Sequence, residues 1–255
     1  MYLEKYNLKG RNAVVTGGGQ AIGLACVEAL AEAGARVVIA DYNAQVAETG
    51  RDAMKAKGYA CDIAIVDVTD ARAVDALADK MEKSGGTQIL VNNAGIARSE
   101  IPAEKMEDER WLNVLDVNLN GTFWCCRSFG RRMLGKGGSI VNVGSMSGFI
   151  VNKPQEQSHY NASKAAVHHL TKSLAAEWGT RGVRVNAVAP TYINTPLNAF
   201  VKSKPAMYDA WIGGTPMARM GEVEEIASAV LFLACDASSL MTGSIVVVDG
   251  GYTCW

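Results

Sequence analysis

Short runs of apolar, often β-branched residues alternate with longer helix-favouring stretches along the whole chain. The apolar runs are nearly continuous, which is typical of parallel strands covered on both faces. Strands are predicted at residues 12–16, 36–40, 61–68, 88–93, 139–143, 184–189 and 244–249. Helices are predicted between them, at 20–34, 43–57, 70–83, 104–134 and 158–180. This alternation predicts one α/β domain over 1–255, a doubly wound sheet of seven mostly parallel strands with helices on both faces.

Composition and charge exclude several classes of protein. The 255 residues are 49% hydrophobic and 20% charged, which is enough for one large core, and the formal net charge is −1. No basic block indicates nucleic acid binding, and no apolar run reaches the roughly 18 residues of a membrane span. Six scattered cysteines lack metal-ligand spacing. They favour reduced thiols in a cytoplasmic protein over a disulfide framework.

A glycine-rich turn joins the first predicted strand to the first helix. The stretch VTGGGQAIGLACVEALAEAG, residues 15–34, places Gly17, Gly18, Gly19 and Gly23 at this junction. Glycines there allow close approach of the backbone to a pyrophosphate, whose charge the N-terminus of a helix stabilises. In this context the turn predicts a Rossmann-type dinucleotide site, and a plain strand-to-helix turn is the alternative.

Asp41 follows the second predicted strand, 18 residues beyond Gly23. A carboxylate at this place accepts hydrogen bonds from the adenosine ribose hydroxyls and repels a 2′-phosphate. Tyr42 and Asn43 come next, so no arginine directly follows to bind such a phosphate. We therefore expect NAD rather than NADP, while the alternative is that Asp41 caps the next helix.

Tyr160 and Lys164 lie four residues apart in the Ala-rich stretch SHYNASKAAVHHL, residues 158–170. On a helix this spacing puts both side chains on one face. A positive charge beside a phenol stabilises the phenolate, so we expect Lys164 to lower the pKa of Tyr160 and to make it a usable acid/base. Taken alone the spacing is weak, since an exposed helical face produces it by chance.

Taken together, the motifs resemble those of the short-chain dehydrogenase/reductase family, in their order and over essentially the whole chain. The matching stretches are TGGGQAIG (16–23), DV (67–68), NNAG (92–95), DVNLNGTF (116–123), VGSMSG (143–148), YNASK (160–164), RVNAVAPTYINTP (184–196) and TGSIVVVDGGYTCW (242–255). Each motif is weak by itself, but the ordered set is very specific.

The resemblance implies a catalytic set of Asn118, Ser145, Tyr160 and Lys164. Tyr160 would exchange the proton of the reacting hydroxyl, and Lys164 would lower its pKa and hold the nicotinamide ribose. Ser145 would bind the reacting oxygen, and Asn118 would keep a helix bend and anchor a water for proton relay. The simpler alternatives are a strand-end cap for Ser145 and a polar helix filler for Asn118.

The resemblance also implies a set of cofactor contacts. Asp67 and Val68 would lie at the adenine, and Ile193 and Thr195 at the nicotinamide carboxamide. The full set is Gly17, Gln20, Ala21, Ile22, Gly23, Asp41, Tyr42, Asp67, Val68, Asn93, Ala94, Gly95, Tyr160, Lys164, Pro190, Ile193 and Thr195. No metal is needed for the hydride step.

Three positions depart from the usual family pattern. Ala21 stands where a motif glycine is usual, which predicts a slightly tighter loop, and Thr191 replaces a glycine after Pro190. Ser145 precedes Tyr160 by 15 residues, two more than in many members, which predicts an enlarged loop over the substrate.

That loop, residues 149–159, is named the substrate loop here. It carries amides and charges, namely Asn152, Lys153, Gln155, Glu156 and Gln157. A pocket built from amides and hydroxyls rewards a substrate with many hydroxyls, because unpaired buried polar groups are costly. We expect Ser145, Ser147, Asn152, Gln157 and Tyr160 to bind the substrate, and the alternative is that the amides face water.

We expect the dinucleotide-binding part to span about 10–145, and residues 196–220 to form a lid over the substrate. Met207, Tyr208, Trp211 and Met217 lie in this lid, with core packing as the alternative for Trp211. Homotetramers are common in the family, formed through helices 104–134 and 158–180 and the last strand. Trp255 is then expected at a subunit contact.

Three stretches resemble the sugar-alcohol branch of the family most: the ending DGGYTCW, MSGFIVNKPQ and AAEWGTRGVRVNA. The implied activity is NAD-dependent interconversion of a galactitol-like hexitol or a pentitol with the matching ketose. One alternative is a 3-oxoacyl carrier-protein reductase or another ketone reductase of the same family. A remote alternative is a non-catalytic NAD-sensing protein, against which the presence of both Tyr160 and Lys164 speaks.

Overall fold

The computed structural model describes residues 1–255 apart from the side chain of Lys202. Seven strands form one parallel sheet: β1 Asn12–Thr16, β2 Arg36–Asp41, β3 Cys61–Ile65, β4 Ile89–Asn92, β5 Gly138–Val143, β6 Val183–Pro190 and β7 Ile245–Val248. Their order is β3-β2-β1-β4-β5-β6-β7, and every neighbouring pair is parallel. The predicted doubly wound α/β sheet is confirmed, and it is parallel throughout.

The α-helices lie between the strands along the chain. They are α1 Ala21–Glu32, α2 Ala44–Ala56, α3 Ala71–Lys83, α4 Asp108–Leu115, α5 Gly121–Met133, α6 Ser158–Trp178, α7 Pro205–Gly213 and α8 Val223–Ala234. The helix predicted over 104–134 is divided, because a π-helical segment at Asp116–Asn120 separates α4 from α5. Helix α8 was not among the predicted helices, and its apolar residues pack against α1 and the sheet.

The core has one layer on each face of the sheet. Along β1, Ala13 and Val15 belong to the layer covered by α1, α2 and α8, while Val14 belongs to the layer covered by α3, α5 and α6. All three side chains are fully buried. Burial on both faces is why these strands are continuous apolar runs rather than alternating ones.

The first direction change in the sheet comes at β1, which has β2 on one side and β4 on the other. In such sheets ligands bind in the crevice outside the carboxyl ends of the strands, at the point where the order reverses. The polar residues Asp41, Asn92 and Ser145 stand at or just after the ends of β2, β4 and β5. The fold therefore brings them to one edge.

A third, smaller apolar cluster lies beside that edge. It contains Met146, Tyr192, Val201, Met207 and Trp211, and it joins the loop after β6 to α7. Within the described part of the chain, none of the helices has the length and apolar character to cross a membrane.

Candidate active site

The glycine turn between β1 and α1 is closely packed on the end of β4. Gly17 has a φ of +59°, and a Cβ on Gly23 would lie 2.0 Å from the carbonyl oxygen of Gly17. The side-chain amide of Asn93 donates to that oxygen at 2.9 Å and to the oxygen of Thr16 at 3.1 Å. Only glycine fits at position 23, and Asn93 holds the turn in place.

The start of α1 is open to a ligand. The residue before the helix, Gln20, makes no side-chain cap, and the first turn contains no acidic residue. Its N–H groups and dipole therefore offer positive charge to an anion. Ala21, which stands where a motif glycine is usual, has a φ of +49°, in the left-handed region that favours glycine.

Asp41 is 6% exposed at the end of β2. Its carboxylate accepts hydrogen bonds from the backbone N–H of Gly19 at 3.3 Å and of Asn43 at 3.1 Å. The alternative that Asp41 caps the next helix is wrong, because the side chain of Asn43 caps α2 by accepting from the N–H of Val46. The carboxylate instead lies in the wall of a cavity.

That cavity has a volume of about 640 Å³ and runs from the glycine turn to α7. Of the residues predicted for the site, Asn118 and the turn glycines Gly18 and Gly19 do not line it. The others do: Gly17, Gln20, Ala21, Ile22, Gly23, Asp41, Tyr42, Asp67, Val68, Asn93, Ala94, Gly95, Ser145, Ser147, Asn152, Gln157, Tyr160, Lys164, Pro190, Ile193 and Thr195. Thr191 lines it too. Motifs scattered over about 180 residues thus form one wall.

Asn118 lies behind the cavity, in the π-helical segment between α4 and α5, and is 1% exposed. Its side chain accepts from the N–H of Ile96 at 2.8 Å and donates to the oxygen of Ile96 at 2.9 Å and to Oγ of Ser163 at 3.0 Å. The π-helical turn is the expected bend. Asn118 ties it to the loop after β4 and to α6, so it is not a polar filler.

Tyr160, Lys164 and Ser145 meet at the centre of the cavity wall. Ser145 is 7% exposed, and its hydroxyl accepts from the N–H of Ser147 at 3.1 Å, so it caps this turn as well as facing the cavity. Lys164 Nζ lies 5.7 Å from the centre of the Tyr160 ring and donates to the oxygen of Val143 at 2.7 Å.

The expected pKa shift of Tyr160 is wrong in sign for the protein alone. Burial raises the pKa of the Tyr160 phenol, and the hydrogen bond with Ser145 only partly offsets it. Burial also lowers the pKa of Lys164 to about 8. Desolvation outweighs charge attraction here, because Lys164 is buried, Tyr160 is half-buried and the ammonium is turned to Val143.

Three amides of the substrate loop point inward rather than into water. Asn152, Gln155 and Gln157 are 5%, 7% and 6% exposed, whereas Lys153 and Glu156 are exposed. Asn152 and Gln155 both donate to the phenol oxygen of Tyr192, at 3.0 and 3.2 Å. Gln157 donates to Oδ1 of Asn152 at 3.0 Å. The alternative that these amides face water is wrong for these three.

The amides connect the substrate loop to α7. Nε1 of Trp211 donates to Oε1 of Gln155 at 3.0 Å, and the Trp211 ring stacks on Tyr192 with centroids 3.8 Å apart. Trp211 is 2% exposed and both lines the cavity and packs in the third cluster. Met207 packs in the same cluster without lining the cavity, and Tyr208 and Met217 are exposed.

The similarity to known proteins extends over the whole chain. A family model described as Enoyl-(Acyl carrier protein) reductase matches residues 17–253. Galactitol 2-dehydrogenase of Rhizobium johnstonii is 57% identical over 256 residues, covering 100% of this chain and 99% of that protein. The chain belongs to the short-chain dehydrogenase/reductase family.

Other members of the short-chain dehydrogenase/reductase family extend this similarity. Galactitol 2-dehydrogenase (L-tagatose-forming) of Cereibacter sphaeroides is 48% identical and covers 100% of this chain and 99% of that protein. The crystal structure of gox2181 has a TM-score of 0.98 at 54% identity, with both chains covered completely. A gluconate 5-dehydrogenase from Burkholderia cenocepacia J2315, in complex with NADP and tartrate, has a TM-score of 0.94 at 37% identity and also covers both chains completely.

Sequence reasoning missed several residues of this short-chain dehydrogenase/reductase site. Tyr192, which accepts from two amides, is the residue after Thr191 in a stretch already quoted for the family, but no pattern marked it as buried. Ser99, whose hydroxyl donates to Gln157 at 2.7 Å, lies in the loop after β4, beyond the NNAG motif and outside every quoted stretch. Both line the cavity because of where their loops fold.

Proposed function

We propose that this protein is an NAD-dependent dehydrogenase that interconverts a sugar alcohol, a galactitol-like hexitol or a pentitol, with the matching ketose. One observation carries the proposal. A single cavity has the open helix N-terminus and Asp41 at one end, and Tyr160, Ser145 and three buried amides at the other. One end suits a dinucleotide, and the other suits a molecule with several hydroxyls.

The glycine turn and the start of α1 would hold the pyrophosphate, and Asp41 the adenosine ribose. When bound, the nicotinamide accepts the hydride in alcohol oxidation and returns it in ketone reduction. The remaining proposed cofactor contacts, from Asp67 to Thr195, line the same wall. The protein contributes orientation of the substrate carbon and movement of one proton.

Tyr160 would take the proton from the hydroxyl that becomes the carbonyl, while the two C–H bonding electrons leave with the hydride. Ser145 would hold that oxygen beside the phenol. Lys164, with a pKa of about 8, carries a positive charge at neutral pH and lies against the Tyr160 ring. Its charge favours the phenolate, which opposes the effect of burial. Asn118 would anchor a water that passes the proton outward.

Asp41 supports NAD over NADP. The carboxylate is held by two backbone N–H groups, so it cannot easily turn away from a 2′-phosphate. The residue after it, Tyr42, is 75% exposed and carries no charge to compensate. A buried negative charge fixed at the ribose end therefore disfavours the additional phosphate.

Ser147, Asn152 and Gln157 would bind the hydroxyls of the substrate that do not react. The side chains of Asn152 and Gln157 already form a connected network with Tyr192 and Ser99, which limits their rotation before a ligand arrives. The hydroxyl of Ser147 accepts from the hydroxyl of Ser145 at 3.0 Å. An aliphatic substrate would leave this polar wall without partners, at a cost in binding free energy. A polyol supplies both donors and acceptors to it.

We further propose the division of labour within the single domain: residues 10–145 for the dinucleotide, the substrate loop at 149–159, and the lid at 196–220. Two contacts support the lid. Trp211 donates to Gln155 of the substrate loop, and Lys204 forms an ion pair with Glu100 in the loop after β4. Gln155 and Trp211 line the cavity, and so does Ser99, the residue before Glu100.

The proposed assembly is a homotetramer. Trp111 and Leu112 on α4 are 38% and 55% exposed, and Val247 on the edge strand β7 is 39% exposed. Trp255 is 85% exposed while its Nε1 donates to the oxygen of Gly214 in the lid. Light scattering after gel filtration tests this by mass. Location in the cytoplasm is proposed from the free state of the six cysteines.

The decisive experiment is a panel of hexitols, pentitols and tetritols with NAD⁺ or NADP⁺, followed by NADH or NADPH absorbance. We expect oxidation of a hexitol or a pentitol, with kcat/KM at least tenfold higher for NAD⁺. A parallel assay offers a 3-oxoacyl thioester with NADPH. Activity confined to that assay would overturn the substrate proposal, and failure of every substrate would overturn the enzyme proposal.

The substrate contacts are tested with Asn152→Leu. The exchange should raise the KM for the polyol about tenfold or more, since it leaves substrate hydroxyls without this partner and removes one of the two amides that donate to Tyr192. The KM for NAD⁺ should stay unchanged. Lys153→Ala, on the exposed side of the same loop, is the matched control. An equal effect of both variants would contradict the assignment.

A further inference from the structure

The helix that carries Tyr160 and Lys164 has a third polar side chain on the same stripe. His168 lies one helical turn beyond Lys164 on α6, so the three side chains share a face. His168 is 5% exposed and does not line the cavity. None of the proposed catalytic or binding steps uses this side chain.

The turn after β5 closes tightly around the His168 ring. A Cβ on Gly144 would lie 2.4 Å from Nε2 of His168, and a Cβ on Gly148 would lie 2.5 Å from Cε1. Neither glycine has a positive φ, so the close approach of the ring excludes a side chain there. Phe149 covers the imidazole, with ring centroids 4.5 Å apart. The serine-bearing turn is therefore built around this histidine.

Two polar contacts connect this turn to α6, one at Val143 and the other at Ser145. Lys164 Nζ donates to the oxygen of Val143 at 2.7 Å, and the backbone N–H of Ser145 donates to Nε2 of His168 at 3.5 Å. The second contact acts on the residue whose hydroxyl is proposed to hold the reacting oxygen. A displacement of the His168 ring would therefore displace Ser145 relative to Tyr160.

The contact requires a neutral imidazole with the free lone pair on Nε2. Burial, followed by the charges of Lys164 and Lys172, lowers the pKa of His168 to about 4, so the ring is neutral around pH 7. Its proton then lies on Nδ1, which is buried and makes no hydrogen bond to the described residues. An unpaired buried donor is costly, and an apolar side chain of similar size would avoid that cost.

We propose that His168 is a positioning residue for Ser145: its Nε2 accepts the Ser145 N–H and its ring sets the path of the 144–149 turn. The inference rests on the proposed dehydrogenase function, which it deepens. Misplacement of a catalytic group by about 1 Å costs on the order of 10²-fold in rate. A variant that removes the acceptor should therefore lower kcat while leaving the distant dinucleotide end of the cavity intact.

The test uses the full-length enzyme and its best polyol. His168→Leu should lower kcat about 10-fold to 100-fold with little change in NAD⁺ dissociation constant, measured by fluorescence titration. His168→Gln, which keeps an acceptor on a side chain of similar reach, should retain activity within about threefold. His169→Leu, the exposed neighbour on α6, is the matched control and should match wild type.

A double-mutant comparison separates positioning from general stability. If His168 acts through Ser145, then Ser145→Ala with His168→Leu should be about as active as Ser145→Ala alone, because there is no hydroxyl left to misplace. The proposal would be overturned if the loss of kcat in the double variant equalled the product of the losses in the two single variants. A folded His168→Leu variant within twofold of wild-type kcat would overturn it too.

Two outcomes remain distinct from these. Should His168→Leu fail to fold, His168→Asn replaces it, since asparagine is too short to reach the Ser145 N–H, and equal activity of the Asn and Gln variants overturns the inference. Absence of dehydrogenase activity in the wild-type enzyme would instead overturn the proposed function.

Discussion

Lys164 Nζ lies 5.7 Å from the centre of the Tyr160 ring and donates a 2.7 Å hydrogen bond to the oxygen of Val143, two residues before Ser145. One lysine thus contacts both the proposed acid/base and the strand end that leads to the proposed oxygen-binding serine. In the protein alone, burial raises the pKa of Tyr160, so the lysine charge has to work against desolvation.

Tyr160→Phe should keep the cavity and cofactor binding but lower kcat by about 10²-fold or more, because it removes only the group that exchanges the proton. Steady-state rates with the best polyol and a fluorescence titration with NAD⁺ measure the two effects. Tyr2→Phe, near the N-terminus and 85% exposed, is the control. A Tyr160→Phe enzyme with near-normal kcat would show that another group moves the proton.

Asp41→Asn should reduce the preference for NAD⁺ over NADP⁺ by roughly tenfold. The N–H groups of Gly19 and Asn43 donate to different oxygens of Asp41, so asparagine, with one acceptor oxygen, keeps one of these two hydrogen bonds. The exchange also removes the charge that repels a 2′-phosphate. The ratio of kcat/KM for the two cofactors measures this. Asp62→Asn, exposed on the neighbouring strand β3, is the control, and an unchanged ratio in Asp41→Asn would assign the preference to another residue.

Ala21→Gly should stabilise the protein by about 1 kcal/mol, because it removes the strain of a left-handed alanine. The midpoint of urea unfolding, at an unchanged slope, measures it. Ala53→Gly, at an exposed position within α2, should instead cost about 1 kcal/mol. If both exchanges destabilise equally, the backbone at Ala21 is not under strain in the folded protein.

His168 should make the folded state sensitive to mild acid. Its pKa falls from 6.5 to about 4 on folding, so between those values the unfolded chain binds a proton that the folded chain does not. Stability is therefore lost as pH falls, by about 2 kcal/mol at pH 5 from this group. Between pH 7.5 and pH 5, the free energy of urea unfolding should therefore fall by about 2 kcal/mol more in wild type than in His168→Gln.

The comparison cancels other titrations, since both proteins contain the same remaining ionisable groups, among them His159, whose pKa is also lowered by burial. Equal pH dependence of the two proteins would show that folding does not lower the pKa of His168.

Trp211→Phe should loosen the connection between the lid and the substrate loop. Phenylalanine keeps a ring on Tyr192 but cannot donate to Oε1 of Gln155, which costs about 1 kcal/mol and leaves a buried oxygen unpaired. We expect a rise in polyol KM without a change in NAD⁺ KM. A rise in both would indicate general loss of packing instead.

Much of the fold was predictable from local patterns. Strands buried on both faces must be apolar throughout, as Ala13, Val14 and Val15 are, and therefore stand out from the helices. The exceptions have physical reasons. The predicted strand 61–68 ends at Ile65, and Asp67 accepts from the N–H and the hydroxyl of Thr69 in the turn beyond it. The divided helix at 104–134 depends on contacts of Asn118 with Ile96 and Ser163, which are distant in sequence.

The functional groups of the site were also predictable, since the spacing of the glycine, carboxylate, phenol and ammonium groups puts them at strand ends or on one face of a helix. Their surroundings were not. Tyr160 and Lys164 share a face because of helical geometry alone, but the sign of the pKa shift depends on how much water the fold removes around them. Spacing contains no information about burial of that kind.

The sequence by itself determined the alternation of strands and helices, the glycine turn with Asp41, and the family, because these depend on residues near each other or on ordered motifs. Only the tertiary structure decided that Asn152, Gln155 and Gln157 face inward, and that the turn bearing Ser145 closes on His168. Those outcomes follow from packing between segments far apart in the chain, where hydrogen-bond partners such as Tyr192 and Trp211 become available only after folding.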